Sequence, residues 1–174
     1  MSAATVLGID PGVSETGWAV LSGEPGAAPR LEASGLIKTL PSQPLSERLC
    51  LIHGAVTSLL QRYRPQSVAI EEMFFLKAAH TIRGTLQARG VILLAAAQSG
   101  GAISEYNPRT VKATLTGSGA ADKRQMQRVV SKILGLADLL RPDDVADAAA
   151  IALCHMRVGR VKRLQVLEIH GGGR

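Results

Sequence analysis

At 174 residues, 46% hydrophobic and 20% charged, the chain is long enough to bury one real core and too short for two full lobes, and its composition excludes a disordered or fibrous protein. Aromatic residues are only 3% of it (Trp18, Tyr63, Tyr106, Phe74 and Phe75), so the core must rest on Leu, Ile, Val and Ala. The net charge of +6 lies wholly in the second half: residues 1–87 hold 7 basic and 7 acidic side chains, residues 88–174 hold 13 and 7, which points to a polyanionic partner.

Met1 to Thr5 lacks a basic stretch followed by a long apolar run, so no signal peptide is read and a cytoplasmic location is expected. The longest uncharged stretch, Gly90 to Ser104, is interrupted by Gln98, Ser99, Gly100 and Gly101 and is too short to span a bilayer, so no membrane partner is expected. Cys50 and Cys154 sit within apolar helical patterns, which predicts two buried, reduced thiols. With four scattered histidines they make no Cys/His metal site.

In chain order, Thr5 to Asp10 is a continuous apolar run stopped by Pro11-Gly12, which reads as a strand buried on both faces with Asp10 at its carboxyl end. Thr16 to Leu21 reads as the return strand of a hairpin and Leu31 to Thr39 as a third strand. Leu45, Leu49, Ile52, Val56, Leu60 and Tyr63 then fall on one helical face, closed by Arg64-Pro65. Ser67 to Glu71 is another short apolar strand ending in a carboxylate. Ile82, Leu86, Leu93 and Ala97 mark a helix, and Ala102 to Tyr106 a strand. Asn107 and Pro108 read as the cap and first residue of the next helix. Asp122 and Gln125 form the capping box of a helix stopped by Gly135. A last helix is expected from about Asp143 to Arg160, with residues 161–174 a loose tail. The sum is a single α/β domain over residues 1–160: a five-stranded mixed sheet, three antiparallel strands and then two parallel ones, flanked by helices.

Asp10 and Glu71 both end apolar strands, and a right-handed crossover makes those strands parallel neighbours with the two carboxylates at one edge. Asp144 and Asp147 are three residues apart on one helix face that continues as Ile151, Cys154 and Val158, an apolar stripe that points inward. Asp143 is available as a cap, whereas Asp147 lies a turn too deep for one. Four converging carboxylates with no Lys or Arg in their motifs would repel one another. A hard divalent cation, Mg²⁺ or Mn²⁺, removes the conflict, and two such ions about 4 Å apart suit phosphodiester hydrolysis.

Gly8-Ile9-Asp10-Pro11-Gly12, Ala69-Ile70-Glu71 and Asp144-Val145-Ala146-Asp147-Ala148 match, in order and spacing, the motifs of the RuvC family of bacterial Holliday-junction endonucleases. The chain resembles that family from Leu7 to about Arg157. The resemblance implies a ribonuclease H-like fold and a metal-dependent homodimer. Its activity would be paired symmetric nicks in four-way junction DNA, in recombination and repair, with RuvA and RuvB as partners. It places Asp10, Glu71, Asp144 and Asp147 at the four catalytic, metal-binding positions. It also makes Phe74 the aromatic that stacks on an unpaired base, and Lys112 and Lys123 the basic residues near the scissile phosphate. Glu72 and Asp143 remain alternative ligands, and Phe75 an alternative to Phe74. His53 and His155 fall in helix patterns and are expected to be structural. Three competing readings are an ATP-binding protein of the actin and sugar-kinase type, which needs two lobes; a small ribonuclease H-like protein acting on RNA or another substrate; and a structure-specific DNA-binding module without catalysis, which leaves the inward Asp147 unexplained.

Overall fold

Along β1 (Ala4–Asp10) Leu7 and Ile9 point to one side, Val6 and Gly8 to the other, and each side finds its own helical layer. The computed structural model describes residues 4–24, 27–72 and 79–171. β1 lies at the centre of a sheet ordered β3-β2-β1-β4-β5. It pairs antiparallel with β2 (Glu15–Gly23), which pairs antiparallel with β3 (Arg30–Lys38). On its other side it runs parallel to β4 (Ser67–Glu71), which runs parallel to β5 (Ala102–Tyr106). This is the expected five-stranded mixed sheet.

One face is covered by α1 (Leu45–Tyr63) and α2 (Ala79–Gln98), whose Ile52, Val56, Leu60, Ala88 and Ile92 pack on Leu7, Ile9, Val20, Val68 and Ile70. Each fully buried Leu, Ile or Val contributes about 1.5–3 kcal/mol over its exposed state. The opposite face is covered by α5 (Asp143–Gly171), backed by α3 (Pro108–Thr116) and α4 (Lys123–Ile133). From Val145 to Cys154 every residue of α5 except Asp147 is buried, five of them alanines, because the helix lies between the sheet and α3 and α4.

The helix starts are the ones the sequence specifies. Asn107 accepts from the Arg109 backbone N–H at 2.8 Å and Pro108 opens α3. The Asp122 carboxylate accepts from the Gln125 N–H at 2.8 Å while the Gln125 side chain accepts from the Asp122 N–H at 3.2 Å. The first turn of α4 then lies beside the start of α5, where Lys123 and Gln127 reach Asp143.

Three expectations are corrected. Cys154 is buried, but Cys50 is exposed, since it lies about one residue's rotation off the Leu49, Ile52 and Val56 stripe that meets the sheet. Among the described side chains of α2 the buried ones are Ala88, Ile92, Ala95 and Ala96, whereas Ala97 is exposed and Leu93 only half-buried. In a helix this rich in alanine the small residues form the contact face, so large apolar residues mislead about its direction. Finally, α5 continues to Gly171 rather than stopping near Arg160; residues 161–170 contain no Gly or Pro to break it.

Candidate active site

β1 and β4 pair in parallel register through Ile9 and Ile70, so the next residues, Asp10 and Glu71, emerge side by side at the carboxyl end of the sheet. α5 arrives above them because two glycines let it. A Cβ on Gly8 would stand 2.1 Å from the Ala148 carbonyl oxygen, and one on Gly17 would stand 2.0 Å from the carbonyl oxygen of Asp144. Any side chain at these two strand positions would lift the helix off the sheet, and with it Asp144 and Asp147.

The four carboxylates sense one another. Burial, a hydrogen bond with Glu71 and the negative charges of Glu71, Asp147 and Asp144 push the Asp10 pKa from 3.8 up to about 9. Asp10 therefore resists ionisation while no cation stands beside it. Asp147 is pushed up to about 6, mainly by burial and further by Glu71, Asp144 and Asp143, against the opposing pull of Lys123. Both shifts express the inward direction that the three-residue spacing of Asp144 and Asp147 implies.

Lys123 supplies what the motifs lack. From the first turn of α4 its Nζ lies 3.0 Å from Asp143 Oδ2, and its own pKa is raised by Asp143, Asp147 and Asp144. The cluster thus has a cationic neighbour, which corrects the expectation of unneutralised acids. Asp143 also accepts from Gln127 Nε2 at 2.5 Å, so it faces α4, and its carboxyl is held below the usual range chiefly by Lys123. Asp144, not Asp143, contributes to the charge felt by Asp10. The N–H of Glu72 donates to the Tyr106 carbonyl at 2.8 Å.

An open groove of about 640 Å³ runs beside the cluster, lined by Glu15, Lys123, Arg141, Pro142, Asp143 and Asp144. Lys112 sits half-buried on α3, and none of the ion pairs among the described residues involves it. Phe74 and Phe75 lie outside the described residues. His53 is bonded to Gln98 at 3.2 Å across α1 and α2, and His155 to the Tyr106 hydroxyl at 2.9 Å, which fits their structural reading.

Among the described residues, no group of three or more His, Cys, Asp or Glu side chains already stands in an arrangement that could hold a metal ion. Asp10 and Glu71 share a hydrogen bond instead. The donor set nonetheless fits a hard divalent cation: it is all carboxylate oxygen, and the raised values of Asp10 and Asp147 are what a bound cation would reverse.

A sheet of this order, with acids at the carboxyl ends of β1 and β4 and at the start of the helix packed on them, has the ribonuclease H-like architecture. The family model described as crossover junction endodeoxyribonuclease RuvC matches residues 6–155, and the chain belongs to that family. It is 46% identical to the crossover junction endodeoxyribonuclease RuvC of Endomicrobium trichonymphae over 151 residues, 87% of this chain and 80% of that protein. Its identity to the RuvC of Salinispora arenicola is 42% over 173 residues, 97% of this chain and 99% of that one. The Thermus thermophilus RuvC structure superposes with a TM-score of 0.84 at 38% identity, covering 91% of this chain and 96% of that one. The same protein in complex with a Holliday junction substrate gives 0.83 at 36% identity, covering 90% and 96%.

Proposed function

We propose that this chain is a junction-resolving endonuclease that hydrolyses phosphodiesters in four-way DNA by paired symmetric nicks. The observation that carries the reading is the convergence of Asp10, Glu71, Asp144 and Asp147 at one end of the sheet in a chain of the RuvC family. In this reading the four acids hold Mg²⁺ or Mn²⁺, two ions per site. Bound ions of this kind supply an activated water and stabilise the leaving oxygen. A bound cation would favour the ionised form of Asp10, and Asp147 would complete the set from α5. Lys123, already at the rim, meets the phosphate of a strand laid in the neighbouring groove, with Lys112 contributing from α3.

Phe74 stacks on a base unpaired at the crossover. The active species is a homodimer, since two nicks of like polarity need two sites, and it works with RuvA and RuvB in the cytoplasm. Among the described residues no helix is long and apolar enough to cross a membrane. The complex of the Thermus thermophilus relative with a Holliday junction substrate supports junction DNA as the ligand. The basic excess of residues 88–174 supports the same polyanion.

The test is incubation with end-labelled four-way, duplex and single-stranded DNA, with Mg²⁺, with Mn²⁺ and with chelator. The expected result is paired nicks in the four-way substrate alone, and only with metal. Equal cutting of duplex, or cutting in chelator, would overturn the reading.

A further inference from the structure

Arg89, on the second half of α2, is the basic side chain that reaches back to the end of β4. Its Nε donates to the backbone carbonyl of Glu71 at 3.2 Å, and its Nη2 is paired with the Glu105 carboxylate on β5. Only 16% of the side chain is exposed, although Glu105 is 43% exposed. The guanidinium therefore closes an 18-residue excursion of the chain, from Glu71 out through residues 72–88 and back, and ties it to the neighbouring strand. Glu71 is the last residue of β4, where the parallel ladder with β5 ends at the Glu71–Tyr106 pair. One further bond to β5, from the Glu72 N–H to the Tyr106 carbonyl at 2.8 Å, holds the peptide that leaves Glu71, and Arg89 holds the carbonyl of that same peptide, so the orientation of Glu71 rests on the two together.

We infer that Arg89 is a positioning residue for Glu71, and that Glu105 in turn aims Arg89. The inference rests on the reading of Glu71 as a metal ligand. A planar guanidinium serves two acceptors at fixed angles, which a lysine ammonium at the end of a flexible stem does not reproduce. Groups that orient a ligand in this way change metal affinity by about 10–100-fold when removed. Arg89 is not a catalytic residue, because it touches the ligand's backbone and not the reacting atoms.

The test is Mn²⁺ binding to the full chain, without DNA, by titration calorimetry. Arg89→Met should weaken Mn²⁺ binding by about tenfold or more, Arg89→Lys should restore only part of it, and Glu105→Gln should fall between. In a Glu71→Gln background, Arg89→Met should produce no further loss. Junction binding in chelator should stay at the wild-type level in all of them, which shows the fold intact. Wild-type Mn²⁺ affinity in Arg89→Met, or a full additional loss on top of Glu71→Gln, would overturn the inference. Should Arg89→Met not fold, Arg89→Lys and Glu105→Gln decide: weakened Mn²⁺ binding in both supports it, and wild-type affinity in both overturns it. Wild-type affinity in Glu71→Gln would remove the ligand role on which it rests. A wild-type chain that binds Mn²⁺ through Glu71 yet leaves junctions uncut would overturn the nuclease reading alone.

Discussion

The two faces of the sheet are packed by opposite means. Against α1 and α2 the sheet presents large branched side chains, Leu7, Ile9, Val20, Val68 and Ile70, met by Ile52, Val56 and Ile92 together with Ala88, Ala95 and Ala96 of α2, with no charged residue buried among the described ones. Against α5 the closest approach is made by Gly8, Gly17, Ala19, Ala69 and the alanines at 146, 148, 149, 150 and 152, with Val6, Leu21, Ile151 and Leu153 packed beside them. The first face is thick and contributes stability. The second is thin, and its thinness brings a helix backbone within contact of a strand so that Asp144 and Asp147 reach Asp10 and Glu71. Stability and site geometry are thus assigned to different faces, and substitutions should separate them.

The largest expected effect is on the acids. Asp10→Asn, Glu71→Gln, Asp144→Asn and Asp147→Asn should each lose more nicking than the about 10–100-fold attached to an outer partner, while still binding the junction. An amide keeps the shape and discards the charge that holds a cation. The apo protein should respond with the opposite sign. Folded Asp10, with a pKa of about 9, holds a proton that the unfolded chain, with 3.8, has released. The folded state binds more protons, so its apo stability is fully present below about pH 4 and falls as pH rises toward about 9. Asp147 adds a smaller loss between 3.8 and about 6. Asp10→Asn should therefore raise the melting temperature in chelator at pH 8.5 far more than at pH 4.5. A pH-independent difference would show that Asp10 is not buried as described.

The comparison of faces is sharpened by one pair of variants. Ile52→Ala, in the thick face, should lower stability by about 2–5 kcal/mol and leave nicking at low temperature near wild type. Gly17→Ala places a methyl where the Asp144 carbonyl stands, so the start of α5 must shift. Its nicking should fall well below that of Ile52→Ala at equal fraction folded. Should the two variants lose activity only in proportion to unfolded chain, the division of labour between faces is wrong.

This division also marks what could be read in the sequence. Asp10 and Glu71 were legible because each stops an apolar run long enough to be a central strand, and Asp144 and Asp147 because their spacing continues into Ile151 and Cys154. Lys123 as a counter-charge was not, since it reaches the acids only through the tertiary packing of α4 against α5. Arg89 and Glu105 belong to different elements and meet at a backbone carbonyl, for which sequence offers no pattern. Gly8 and Gly17 did offer one: a glycine inside an otherwise apolar strand signals close backbone approach. The direction of α2 was lost because alanine carries too little hydrophobic contrast to show a face.

Phe74 should have an intermediate effect. Stacking on a base is worth about 1–3 kcal/mol, so Phe74→Ala should slow cleavage while melting stays unchanged. A junction with an unpaired base at the crossover should recover part of the rate. A large melting loss in Phe74→Ala, with Phe75→Ala harmless, would make Phe74 a core residue and return both faces of the sheet to the question.

The smallest effect is expected from removing residues 161–174. Of α5, the continuously buried stretch ends at Cys154, and the apolar cluster on that face reaches no further than Val158 among the described residues. The helix itself continues to Gly171. Neither the thin face nor the acids depend on that extension, so a chain ending at Arg160 should fold and should nick junctions at close to the full rate. The removed piece carries Lys162, Arg163 and Arg174 against Glu168, a net charge of +2. Its loss should therefore appear in the salt dependence of junction binding, as a slope lower by no more than about 2, with the metal requirement unchanged. A truncated chain that melts many degrees lower, or that binds junctions normally but no longer nicks, would place residues 161–174 inside the working unit and move the domain boundary to the end of α5.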